Sequence, residues 1–348
     1  MNKRSGFLYL FLLLVITQSC QKDDAIPQGK GNKNEVSVTA PSITGPTRAT
    51  ASVVVISNDG DPISEKGICW SLSSNPTLES SSSFNNAASG SSNSIAMVDL
   101  IPGQRYFYRT YAKTPRSTIY GVENSFVFPA DNSTLRNGLV GYYPLNGNGL
   151  DYSGNANNLQ GSASLVSGRT GLRNSAYLFN GVSDFLSVTN PRNLPSGNSS
   201  FTISFWYNAP RWVANSMLVG FGRSGSNSQA NYVKLTTTVV NNRTYQSLMH
   251  YHWNNDWTLW YYSNDATNVW NKITITFDGT RTRYYSFATE VSSRPTRVDV
   301  VPNVFSIGAR IETPPSSNVK EFFNGIIDDV RIYNRALTAS EVSSLVNY

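Results

Sequence analysis

The sequence predicts an all-β chain built as two successive two-sheet sandwiches. Two observations carry this. First, short runs alternate apolar and polar side chains with the period of a strand, as in Phe201-Thr202-Ile203-Ser204-Phe205-Trp206 and Ile273-Thr274-Ile275-Thr276-Phe277. Second, charged residues make up only 14% of the chain and aromatics 12%, with Ser, Thr, Asn and Gly abundant between the runs. That profile belongs to turn-rich extracellular β-proteins, not to a helical cytosolic enzyme. The 348 residues leave room for two or three domains. The formal charge is +6, falling to +4 if Lys3 and Arg4 leave with a leader. No basic run interleaves with aromatics, so nucleic acid is not an expected partner.

Residues 1–20 read as a targeting segment. Lys3 and Arg4 precede a ten-residue apolar run from Phe7 to Ile16, too short to span a bilayer comfortably. Thr17-Gln18-Ser19-Cys20 resembles a bacterial lipoprotein signal with a loose lipobox. The resemblance implies a diacylglycerol thioether on Cys20, cleavage before it and acylation of the new amine. Several acyl chains, each methylene contributing roughly 0.8 kcal/mol, would anchor the chain stably. Gln21-Lys22-Asp23-Asp24 resembles the acidic signal of surface-exported Bacteroidetes-type lipoproteins. The implied location is the bacterial outer membrane, lipid-anchored and exposed at the cell surface. The competing reading is a plain secretory peptide with an incidental cysteine. Residues 21–34, polar with Pro27, Gly29 and Gly31, read as a flexible tether.

Residues 35–128 alternate in short strands around Val36 and Val38, Ala51 to Ser57 and Gly67 to Trp70. The stretch from Leu100 to Ala112, Leu-Ile-Pro-Gly-Gln-Arg-Tyr-Phe-Tyr-Arg-Thr-Tyr-Ala, resembles the penultimate strand of an Ig-like (fibronectin type III) sandwich and its approach. By that resemblance Tyr106 would be the tyrosine-corner residue, its hydroxyl bonded back to nearby backbone, and Trp70 a core anchor. The Ser-rich run from Ser80 to Ser94 departs from the pattern as a longer loop. A spacer or presenting role is expected of this unit. With Cys20 lipidated, Cys69 has no intramolecular partner, and its apolar neighbours mark it as a buried small hydrophobe. Residues 129–136 read as a linker.

Residues 137–348 close on Gly325-Ile326-Ile327-Asp328-Asp329-Val330-Arg331-Ile332-Tyr333-Asn334-Arg335-Ala336-Leu337. Upstream come Gly138 to Asn148, Asp151-Tyr152-Ser153-Gly154-Asn155-Ala156-Asn157, Tyr177 to Gly181 with Asp184-Phe185-Leu186, and Phe201 to Trp206. Five such motifs in this order resemble a laminin-G-like, concanavalin A-like jelly roll of the lectin/glucanase type. The last strand is then expected to lie beside the first. Strict alternation would put Ile326, Asp328, Val330 and Ile332 on the buried face, and Ile327, Asp329, Arg331 and Tyr333 on the other. Thr338 and Glu341 read as a capping box opening a short helix, with Val342, Leu345 and Val346 inward.

Two candidate sites follow. A carboxylate on a buried strand face must be hydrogen-bonded, paired or bound to metal. Asp328 could converge with the loop oxygens of Asp151, Asn155 and Asn157 on a structural Ca²⁺, as related domains often do; Asp184 is a weaker further donor. Hydrogen bonding of Asp328 to loop amides is the equal alternative. The second candidate is the aromatic hairpin from Met249 to Tyr262. A turn at Asn254-Asn255-Asp256 would set His250 opposite Trp260 and His252 opposite Thr258. His250, His252, Trp260 and Tyr262 would then share one face, expected to grip a glycan by ring stacking and hydrogen bonds. Ordinary cross-strand packing competes with that reading, and a one-residue slip would exchange the faces. The two histidines alone are a poor zinc site. A glycan-binding lipoprotein without chemistry is the expected function. A glycoside hydrolase and a protein-binding adhesin or structural surface component are the alternatives. No E-x-D-x-x-E strand is present to support hydrolysis.

Overall fold

The computed structural model describes residues 35–56, 62–85, 93–222, 229–252, 256–262, 266–312 and 318–348. Cys20, the leader and the tether lie outside them. Among the described residues no helix is long and apolar enough to cross a membrane.

The first unit is two antiparallel sheets. In one, Arg48–Ile56 pairs with Glu35–Val38, Ser42–Gly45 and Asn93–Met97. The other holds Ser81–Asn85, Glu65–Ser71, Arg105–Lys113, Thr118–Tyr120 and Asn124–Val127. Val53, Val55, Ile68, Trp70, Tyr106 and Tyr108 fill the space between them. The Tyr106 hydroxyl accepts the Ile101 backbone N–H at 2.8 Å in a buried setting. Tyr106→Phe leaves that donor without its acceptor. A loss of about 1–3 kcal/mol is expected, measured as a shift in the urea midpoint at constant slope. Cys69 is fully buried, and its thiol points at the Pro76 carbonyl oxygen 3.3 Å away. Burial pushes its pKa up to about 11, so it is an inert core residue.

The second unit is a sandwich of an eight-stranded and a seven-stranded sheet. Phe179, Phe201, Ile203 and Phe205 interdigitate with Leu218, Phe221, Val233 and Phe305 across the gap. Each such side chain contributes about 1.5–3 kcal/mol on burial. The closing strand Asn324–Tyr333 lies inside the eight-stranded sheet. One edge pairs with Phe201–Asn208. Its other edge takes Leu139–Tyr143 along its C-terminal half and Ala176–Asn180 along its N-terminal half. The tail strand therefore does adjoin the opening strand.

Its alternation is not the expected one. Ser204 pairs with Arg331 but Trp206 with Asp328, so the closing strand carries one extra residue, a bulge centred on Asp329 at φ 45°. The bulge changes the phase of the strand. Ile327, Val330 and Ile332 enter the core, whereas Asp328, Asp329 and Arg331 join the ion pairs of the outer face and Tyr333 its apolar cluster. The helix Ala339–Leu345 covers this outer face beside Leu139, Tyr142 and Tyr333. Its capping box is formed: Thr338 accepts the Glu341 N–H and Glu341 accepts the Thr338 N–H. Val342 and Leu345 are buried as expected, but Val346 is the C-cap and only half-buried.

Candidate functional site

The aromatic hairpin forms, in a different register. Arg243–Tyr251 pairs with Trp257–Tyr262, the last strand of the seven-stranded sheet. His250 lies opposite Trp257 and Leu248 opposite Trp260, with a bulge between Leu248 and Met249. His250 points inward with Leu248, two residues before it on the same strand, its ring 6.2 Å from that of Phe201. Both histidines are completely buried, so neither lies on the exposed face assigned to it from sequence. The backbone of Trp260 and Tyr262 is strand, while their side chains lie outside the described residues.

The two rings form a closed chain of bonds. His252 Nδ1 donates to the Ala230 carbonyl at 3.1 Å, which leaves its Nε2 as an acceptor. His250 Nδ1 donates to that Nε2 at 3.0 Å, so His250 Nε2 must accept from Asn231. An Oδ1 placed there would set two lone pairs against each other and leave the buried Asn231 Nδ2 without a partner. A neutral pair therefore requires the Asn231 amide to present Nδ2 to His250. Burial holds both imidazoles neutral. The His252 pKa is lowered to about 4, and that of His250 is lowered further by the presence of His252. With their nitrogens spent on each other, the histidines offer no zinc site.

The outer face of the eight-stranded sheet carries a network that the sequence did not reveal. Asp329 pairs with Lys272 at 3.2 Å and Arg331 at 3.0 Å. The Arg331 guanidinium lies between the rings of Tyr142 and Tyr348, 4.3 and 4.4 Å from their centroids. Burial alone would raise the Asp329 pKa, but Arg331, Lys272 and Arg169 hold it well below the carboxylate range. Burial brings Lys272 down to about 8 against the pull of Asp329. Arg169 reaches Asp328 at 3.7 Å and, from the first unit, Asp99 at 3.7 Å. Burial raises the Asp328 carboxyl well above its usual value, with Arg169 opposing and Asp99 and Asp329 adding to the rise.

Arg169 thus latches the two units together. The Thr170 hydroxyl donates to Asp99, Asn146 Nδ2 donates to the Asp99 carbonyl at 2.8 Å, and Asn174 Nδ2 donates to the Glu79 carbonyl at 3.1 Å. Apolar residues cross in both directions: Leu172 packs into the core of the first unit, and Ile101 into the cluster around Tyr142 and Leu345.

This arrangement does not fit the expected calcium ion. Asp151 Oδ1 accepts the N–H groups of Tyr142 and Ser153, and its Oδ2 accepts that of Asn157. Asn157 Oδ1 takes the Arg192 N–H and Asn155 Oδ1 the Asn193 amide. Asp184 accepts the Asn180 N–H. Asp328 faces a guanidinium, which would repel a dication. Among the described residues no three His, Cys, Asp or Glu side chains are grouped to hold a metal ion. The loop acids instead brace backbone turns.

Comparison with curated proteins returns no match. Among solved structures, domain 4 of AbnA, a GH43 extracellular arabinanase from Geobacillus stearothermophilus, in complex with arabinotriose, is 20% identical. The match covers 60% of this chain and 98% of that one, with a TM-score of 0.44. The binding domain of Paraclostridial Mosquitocidal Protein 1 is 21% identical over 62% of this chain and 53% of its own, at TM-score 0.45. The botulinum neurotoxin serotype C1 binding domain is 16% identical over 62% and 52%, at TM-score 0.46. The chain thus spans about half the length of the latter two. Residues 180–343 match the family model Laminin_G_3, described as the concanavalin A-like lectin/glucanases superfamily, and with the two-sheet sandwich around them they form a concanavalin A-like domain.

Proposed function

We propose that this chain is a non-catalytic glycan-binding lipoprotein of a bacterial surface, anchored through Cys20 and holding its ligand on the concanavalin A-like unit. The first, fibronectin type III-like unit serves as its spacer. The observation that carries the reading is the position of Trp257–Tyr262, an aromatic strand at the edge of the seven-stranded sheet. An edge strand offers rings and unpaired backbone groups to a partner, and sugars present C–H faces to rings and hydroxyls to backbone. Trp260 and Tyr262 keep their assignment as ligand contacts; His250 and His252 support the strand from inside.

Binding without chemistry is favoured over hydrolysis because most of the described acids of this unit are occupied. Asp328 and Asp329 are paired as above, Glu312 and Glu321 both hold Arg310, Asp278 holds Arg283 and Glu341 holds Arg335. A glycosidase needs two carboxyl groups facing one bond across a cleft.

A glycan array probed with the full chain tests the reading. Binding to at least one glycan is expected, reduced at least tenfold by Trp260→Ala at an unchanged unfolding midpoint. Unchanged affinity would remove the edge strand from the site. Release of reducing sugar would favour a hydrolase, and capture of a protein with an empty array an adhesin. Cys20→Ser is expected to move the protein from the membrane to the soluble fraction; persistent membrane association contradicts the anchor.

A further inference from the structure

A cavity of ≈340 Å³ opens at the seam between the two units, away from the aromatic edge strand. Its size is at the lower end of small-molecule sites, which run from roughly 300 to 1,000 Å³, and junctions between domains are a preferred place for them. Trp70 and Tyr106 line it from the first unit, and Leu165 and Asn146 from the second. Trp70 and Tyr106 are almost fully buried, so they make a floor and not a stacking plate. Leu165 is 37% exposed and lines the same space from the second unit. Polar groups of both units line the same space: Asn146, Asn174, Glu79 and Asp99.

We propose that this cavity is a second binding site, for a neutral or amine-bearing saccharide of roughly one or two rings. The proposal rests on the reading above for the class of ligand only. Its location rests on the seam. The lining joins apolar walls to amides and carboxylates, which is the combination a sugar presents in reverse: C–H faces and a rim of hydroxyls. Asn146 and Asn174 each spend one amide N–H in bridging the units. A primary amide carries a second donor and an acceptor, so one bond does not exhaust either side chain. The seam bonds also fix the rotamers of both amides, which lowers the ordering cost of binding. Glu79 is exposed at the rim, and Asp99 in the wall is balanced by Arg169 and Thr170. The Glu79 carboxylate disfavours uronic or sulfated sugars by like-charge repulsion and favours hydroxyl or ammonium donors. Because the site needs both units, ligand binding and the docking of the units stabilise each other.

Saturation-transfer NMR on the full chain tests this, with cellobiose, maltose, lactose, diacetylchitobiose and glucosamine as probes and glucuronic acid as the anionic control. Leu165→Trp fills the mouth from an exposed wall. Asn174→Gly removes an amide at a position with φ 55°, where glycine is accommodated without strain. At least one neutral or amine-bearing probe is expected to bind, with affinity at least tenfold lower in each variant, unchanged in Trp260→Ala, and with no transfer to glucuronic acid. Equal binding in wild type and both cleft variants overturns the cleft and leaves the glycan-binding reading standing. A positive glycan array with no probe bound does the same. An empty array with no probe bound overturns both.

Discussion

Asp329→Ala is expected to lower the unfolding free energy by about 3–5 kcal/mol, the cost typical of breaking a buried ion pair from one side. The substitution leaves Lys272, fully buried, and Arg331, 2% exposed, without the carboxylate that balances both. Tyr142 and Tyr348 would still flank the guanidinium, but ring faces do not replace a counter-ion. Replacing the whole set together, Asp329→Leu with Lys272→Met and Arg331→Met, is expected to recover most of the loss, because no charge is then stranded. Urea unfolding of both variants checks this. A single-variant loss under about 1 kcal/mol would show that water reaches the network.

The second large effect is acid sensitivity from the histidine pair. His252 has its folded pKa lowered to about 4, against about 6.5 in an unfolded chain. Between these values the unfolded state binds more protons, so stability falls as pH falls. The contribution is complete above pH 6.5 and roughly 3 kcal/mol of it is gone near pH 4. His250, lowered in the same direction, adds to the slope. Asp328 and Asp99, whose carboxyls are raised by burial, act in the opposite sense. The informative quantity is therefore the difference between wild type and His252→Gln across pH 4–7. A steeper wild-type slope is expected, and parallel curves would mean that His252 titrates alike in the folded and unfolded states. A proton forced onto His252 would reverse the bond chain, with His250 Nε2 donating to a turned Asn231 amide.

The succession of strands was legible because apolar alternation and turn residues are local signals. Phe201–Asn208 and Trp270–Phe277 followed from them, and the adjacency of the tail strand to Leu139–Tyr143 from the resemblance to a jelly roll. What failed was phase. Period-two reasoning assumes an unbroken ladder, and the extra residue at Asp329 exchanged faces without a signal such as glycine at the site, which misplaced Asp328. The histidines kept their alternation; the sequence does not mark which face of their strand meets the core, and Leu248 and His250 both point inward. The latch was illegible for another reason. Arg169 follows Gly168 in a loop and meets Asp99 from 70 positions earlier, and nothing local marks either residue for the other.

The location of Asn324–Tyr333 also governs when the protein can mature. The strand that three others need as a neighbour is synthesised after all of them. Until it has emerged, Leu139–Tyr143, Ala176–Asn180 and one edge of Phe201–Asn208 lack that partner. The eight-stranded sheet therefore cannot close on any shorter nascent chain, which carries open strand edges until then.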